Sequence, residues 1–245
     1  MQRILQSIAR QGSKSKLESI QKLSQHSLQP QAILFCCVDG RLMTSRFLGL
    51  DIGDAYVVRN PGNIIPNHAS DVKKQQSGAI AEASASLELA CCVSKVPEII
   101  VCGHSDCKAM KLLWTMKREE PQWDSRKPLQ SWLTLQGRAT LEKYEEMKET
   151  NGPIKFLNKW QALSFDASID RKTWNELDQL SQVNCLQQLE NIASLEFMAS
   201  ILKANKAHLH ALWLNFEDCM VHYFSKKEKQ FVMVTSDSLA KLQSE

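Results

Sequence analysis

Two short apolar runs, Ala32–Phe35 and Ile99–Cys102, the latter in a strand that opens at Glu98, each end in a cluster of residues able to bind a metal or carry a charge. The first continues as Cys36-Cys37-Val38-Asp39-Gly40-Arg41 and the second as Gly103-His104-Ser105-Asp106-Cys107. Runs that are apolar on both faces read as buried strands of a parallel sheet. In such sheets ligands bind outside the carboxyl ends of the strands. Both clusters fall at such an end, which constrains the fold and the position of a site together.

The rest of the chain fits that frame. Asp54–Arg59 reads as another strand, stopped by the turn-forming Asn60-Pro61-Gly62-Asn63. Gly78–Lys95 reads as a helix with Ala79, Ala83, Leu87 and Cys91 on one face, and Lys108–Lys117 as another. Pro128–Met147 is predicted as one helix, Lys148–Asp170 as irregular or partly helical, and Leu180–Leu202 as one long helix. His208–Asn215, Met220–Phe224 and Gln230–Val234 alternate as strands. Strands alternating with helices predict an α/β fold with a central, mainly parallel sheet flanked by helices. No repeat, low-complexity tract or linker divides the chain. The expected organisation is therefore a helical arm over residues 1–30 and a single domain over residues 31–245.

Composition removes several classes of function. A formal charge of +3 over 245 residues, with no basic run interleaved with aromatics, argues against nucleic acid as a partner. The apolar runs are far too short to cross a bilayer. Eight cysteines, two pairs of them adjacent, with no secretory signal, suggest a reducing compartment, cytoplasm or mitochondrial matrix. Arg3, Arg10, Lys14 and Lys16 precede the first acid, Glu18, as in a mitochondrial transit peptide. The spacing of Ile4, Leu5, Ile8, Leu17, Ile20 and Leu23 instead favours an amphipathic helix of the fold.

His104 and Cys107 stand three residues apart at the start of a helix, and Cys37 reaches the same end of the sheet from another strand. A His-x-x-Cys pair alone fits a buried histidine beside a core cysteine as well as it fits a ligand pair. Two thiolates and an imidazole from separate segments suit zinc, with a fourth position left for chemistry. Asp39 and Arg41, two and four residues beyond Cys37, can form a charge pair beside such an ion. Cys36, Cys91, Cys92 and Cys102 read as core, while Asp106 and Ser105, inside the ligand block, could equally cap the helix that follows.

Cys37-Val38-Asp39-Gly40-Arg41, Val58-Arg59-Asn60-Pro61-Gly62-Asn63 and Val101 to Cys107, in that order and followed by Lys108, resemble the β-class carbonic anhydrases of animal type. The resemblance runs from about Arg3 to Met110 and resumes at Asn184–Ile192 and around Trp213. It implies that Cys37, His104 and Cys107 hold Zn(2+) and that Asp39 and Arg41 are the catalytic pair. The implied reaction is reversible hydration of carbon dioxide to bicarbonate and a proton by attack of zinc-bound hydroxide. It also implies a homodimer or a dimer of dimers built with the N-terminal arm. Arg41 would keep Asp39 ionised and aimed, and release of Asp39 would let its carboxylate close the site. One departure is Gly40, where the family usually has serine; a lost hydroxyl there is worth about 1 kcal/mol if buried. Related readings are a carbon disulfide or carbonyl sulfide hydrolase on the same site, and a zinc-bearing inactive homologue. His26, His68, His208, His210 and His222 are the histidines available as proton shuttles, with His208 and His210 better read as structural.

Overall fold

Ala32–Cys37 forms β1, buried along its whole length, as a strand with parallel neighbours on both sides must be. The computed structural model describes residues 20, 21, 23–25, 29–67, 78–118, 126–150 and 152–243. Most of the expected arm lies outside these residues, while residues 20, 21, 23 and 24 are helical. After β1 come the one-turn helix α1 (Thr44–Phe47), β2 (Ala55–Asn60) and a tight turn at Pro61–Asn63. Helix α2 (Gly78–Leu87) passes into a π-helical turn at Glu88–Val93 and leads to β3 (Glu98–His104). Three helices follow: α3 (Lys108–Arg118), α4 (Pro128–Gln136) and α5 (Arg138–Thr150). The hairpin β4 (Ile154–Leu157) and β5 (Ser164–Ala167) precedes α6 (Glu176–Ser194) and α7 (Glu196–Lys203). Strands β6 (His208–Leu214), β7 (Val221–Ser225) and β8 (Gln230–Met233), then helix α8 (Ser236–Leu242), complete the described chain.

The main sheet has the order β2-β1-β3-β6-β7-β8. Its first four strands are parallel and the last two antiparallel, so the expected α/β architecture is present. Register decides where the chemistry lies. Cys36 stands opposite Cys102, and His104 opposite Leu214, so β1, β3 and β6 deliver their carboxyl ends to one level. At the other end Glu98 faces His208.

Helix α6 packs on β3 and β6 and is buried on nearly every side. Its close approach depends on Gly103, where a Cβ would collide with Cys185 Sγ. The Ser181 hydroxyl donates to the His104 carbonyl at 2.8 Å and accepts from Trp213 Nε1 at 3.1 Å, which fixes the end of β3. Buried amides farther along α6 hold the loop after β2. Asn184 Nδ2 donates to the Gly62 carbonyl, Gln188 Oε1 accepts from Ile65 N–H, and Asn191 Nδ2 donates to the Ile65 carbonyl. These bonds satisfy a loop backbone that is otherwise shut away from water.

Three sequence expectations need correction. Pro128–Met147 is two helices broken at Gly137, where a side chain would run into the Leu133 carbonyl and Leu113 of α3. Lys148–Asp170 contains the β4–β5 hairpin, stabilised by stacking of Phe156 on Phe165 at 4.9 Å. The long helix over Leu180–Leu202 is interrupted at Leu195, which takes an extended conformation. Among the described residues no helix is long and apolar enough to cross a membrane.

Candidate metal centre

Successive residues of a strand point to opposite faces, so the adjacent cysteines at the end of β1 have different surroundings. Cys36 lies in the core, where burial pushes its thiol up to about 11. Cys37 turns to the other face, and its Sγ lies 4.0 Å from Cys107 Sγ, too far for a disulfide. Either sulfur can donate a hydrogen bond to the other. The hydrogen bond from Cys107 holds the Cys37 thiol far below its ordinary value, against the opposing effect of burial and with help from the Gly62 N–H. Cys107 is pushed up by that same bond and by burial. Gly62 N–H donates to Cys37 Sγ at 3.4 Å from a φ of +80°, a conformation that glycine adopts without strain.

His104 is fully buried and closes the group. Its Nδ1 lies 2.8 Å from the Ser105 carbonyl, which can only accept, so Nδ1 carries the proton. Nε2 is therefore left with its lone pair and has no hydrogen-bond partner among the described residues. A buried nitrogen of that kind is costly unless something else engages it. Among the described residues, Cys37, His104 and Cys107 form a group whose ligand atoms all lie within 4.8 Å of one another. Two thiolates about 2.3 Å from a tetrahedral ion stand about 3.8 Å apart, close to the separation found here. The unpartnered imidazole nitrogen, the sulfur spacing and the soft donor set all fit zinc.

Beyond Cys37 the chain turns so that Asp39 accepts from the Arg41 backbone N–H at 3.0 Å. The Arg41 side chain returns to the same carboxylate through Nε at 3.0 Å and Nη2 at 2.8 Å, a two-pronged contact. The guanidinium holds the Asp39 carboxyl well below the usual carboxylate range, against the opposing effect of burial. Five sequence-named residues thus converge at one end of the sheet.

Other features were not legible as functional. Arg59, inside a quoted motif but with no role assigned, donates from β2 to the carbonyls of Cys37 at 3.0 Å and Asp39 at 2.7 Å. Asp106 does not cap α3: it sits at φ +50° and accepts from Arg41 Nη1 at 2.8 Å. Ser105 Oγ accepts from the Phe216 N–H at 2.8 Å. Phe216 itself, an unremarked aromatic after β6, lies beside both His104 and Arg41. An aromatic just past a strand end, level with two metal-binding segments, was the only available sequence signal.

Those of the histidines offered as shuttles that lie among the described residues are elsewhere or enclosed. His26 and His68 lie outside the described residues. His208 and His210 stand toward the opposite end of β6 from Leu214, the partner of His104, about 20 Å and about 13 Å away respectively at strand rise. His222 is buried with its ring against Trp174 and Trp213.

A family model described as carbonic anhydrase matches residues 32–221. "Beta carbonic anhydrase 1" of Caenorhabditis briggsae is 36% identical over 252 aligned residues, covering 100% of this chain and 92% of its own length. Among solved structures, the β-carbonic anhydrase CcaA superposes with a TM-score of 0.70 at 24% identity, covering 96% of this chain and 99% of that one. A tetrameric β-carbonic anhydrase from the filamentous ascomycete Sordaria macrospora gives 0.65 at 16% identity, covering 92% and 98%. At these identities the two structures establish likeness of fold.

Proposed function

The chain belongs to the β-carbonic anhydrase family, and from that premise and the pocket's geometry we infer that it catalyses zinc-dependent, reversible hydration of carbon dioxide to bicarbonate and a proton. One observation carries the reading beyond membership: a buried imidazole nitrogen without a hydrogen-bond partner among the described residues, set against two cysteine sulfurs 4.0 Å apart. We assign Cys37, His104 and Cys107 as the zinc ligands. Zinc supplies the Lewis acid that makes a water molecule nucleophilic near neutral pH.

The protein's own residues then have separable tasks. Asp39, kept ionised by Arg41, is a hydrogen-bond acceptor beside the ligand group and orients the attacking oxygen toward the substrate carbon. Arg41 fixes the carboxylate and restrains it from turning to the metal. Arg59 anchors the backbone from Cys37 to Asp39, and so sets the distance between a ligand and the orienting acid. The mutual contact of Asp39 and Arg41 supports an active enzyme over a zinc-bearing inactive homologue. Nothing in the pocket favours carbon disulfide or carbonyl sulfide over carbon dioxide.

Assembly and compartment are further proposals. Among the described residues β2 pairs only with β1, and Ile52 ahead of it and Val57 within it are about half exposed. That face suits a homodimer or a dimer of dimers, with residues 1–30 as the arm that reaches the partner. Light scattering that found a stable monomer would overturn it. All eight cysteines are free, which suits a reducing compartment, cytoplasm or mitochondrial matrix.

Stopped-flow carbon dioxide hydration with zinc measured on the same sample tests the activity. The expected result is hydration well above the buffer rate at one zinc per chain. A rate equal to buffer at full zinc would refute it.

A further inference from the structure

We propose that Asp106 and Phe216 are positioning residues for Arg41, so that the segment supplying two metal ligands also locks the arginine, with no contribution from residue 40. The inference rests on the reading above of Arg41 as the partner that aims Asp39.

The Arg41 side chain is 46% exposed. The contact with Asp39 holds one edge of the guanidinium and leaves its other edge and both faces to be restrained by other groups. Arg41 is held from its far side as well. Asp106 Oδ2 accepts from Nη1 at 2.8 Å, and the Asp106 carbonyl accepts from Nη2 at 3.2 Å. Both acceptors face the guanidinium because Asp106 adopts φ +50°, in the left-handed region that aspartate and asparagine tolerate better than most residues. Its own N–H donates to Asp178 Oδ1 at 3.3 Å, which ties the turn to α6.

Phe216 supplies a second restraint. Arg41 Cζ stands 4.4 Å from the centre of its ring, within reach of a cation–π contact. The same ring lies 4.9 Å from that of His104, tilted by 39°. Its N–H bonds to Ser105, so the ring is anchored to the ligand-bearing turn and not to the loop that carries Arg41. The guanidinium is thus fixed along both edges and on one face, and two of those restraints come from elements distant in sequence.

Gly40 contributes none of this. A Cβ built there meets nothing within 4 Å, and its φ is not left-handed. A serine would fit without displacing any neighbour. The family's usual hydroxyl is missing at a position where the arginine's orientation is already determined from elsewhere.

The test compares D106N, F216L, F216Y and G40S in the full-length zinc protein and in its cobalt(II)-substituted form. D106N keeps the shape and tolerates the backbone conformation. F216L removes the aromatic face, and F216Y keeps it. D106N and F216L should each lower kcat roughly tenfold, the loss of about one charge-assisted contact, with KM and metal content unchanged. Both should also change the visible bands of the cobalt form, which report the coordination sphere. F216Y and G40S should match wild type in both readouts. Wild-type kcat and spectra for D106N and F216L would overturn the proposal, as would F216Y behaving like F216L. A wild-type protein inactive at full zinc would instead refute the hydration reading, and the cobalt spectra of D106N and F216L would still decide whether Arg41 is held as described.

Discussion

At the two ends of the parallel sheet the same kinds of side chain meet with different outcomes. At the carboxyl ends, Cys37, His104 and Cys107 face one another, and an imidazole nitrogen is left without a partner among the described residues. At the amino ends, His210 sits between Glu98 and Tyr223, with its Nε2 2.6 Å from Glu98 Oε2 and its Nδ1 3.0 Å from the Tyr223 hydroxyl. That cluster borders a groove of about 760 Å³ that also meets His208, Lys226 and Lys227, so by cavity size and titratable content it is the more obvious candidate. Yet both nitrogens of His210 are engaged by the protein. A cluster that satisfies itself is architecture, whereas one that leaves a buried donor set unfilled requires a ligand.

Substitutions at the two ends put that difference to the test. The largest effect is expected from H104A, which removes the unpartnered nitrogen. Zinc content and carbon dioxide hydration should fall together by more than about 100-fold, beyond the loss caused by disturbing groups around a metal. Full zinc retention in H104A would break the comparison at its strongest point. D39N should retain zinc while kcat falls roughly 100-fold, the scale of a lost orienting or proton-accepting group. Wild-type kcat in D39N would remove Asp39 from the mechanism.

At the other end the sign reverses, with stability affected and activity spared. Y223F deletes one partner of His210 and should cost about 1 kcal/mol, or roughly 2–4 °C in Tm, with kcat/KM unchanged. A tenfold loss of activity in Y223F would show that the two ends are coupled. The smallest effect is on pH dependence. Burial holds His210 below the ordinary imidazole value of 6.5, against the pull of Glu98, and burial does the same to His222. Below that value the unfolded chain binds more protons than the folded one. The stability these groups contribute is therefore complete above 6.5 and is lost as pH falls. Tm should drop between pH 7.5 and 5.5, and by less in H210N; an equal drop in H210N would rule out this account.

How far each region could be read in advance follows from burial. β1 and β3 are enclosed on both faces, so their sequences are continuous apolar runs that stop where the chemistry starts. The β4–β5 hairpin offers only four residues per strand, and half of each faces solvent, which leaves too short an alternation to separate from irregular chain. The breaks at Gly137 and Leu195 depend on what packs against those residues, and a helical period does not carry that information. At the site, the ligands and the Asp39–Arg41 pair were legible because they are local in sequence. Phe216 was not, because its partners Arg41 and His104 lie more than a hundred residues away and nothing about a lone aromatic after a strand announces them.

The contact between Gly103 and Cys185 has a bearing on how this protein can change over time. The residue before His104 has no room to grow, and the helix residue that fills the space is a small thiol with no role in the chemistry. Positions 103 and 185 are therefore bound as a pair. A larger side chain at 103 needs a smaller one at 185 or a retreat of the helix. Retreat would carry Ser181 away from the His104 carbonyl and move a metal ligand without altering it. A screen confined to the pocket's own residues would miss this route to inactivation, and a designer wishing to retune the centre gently would find it behind the strand.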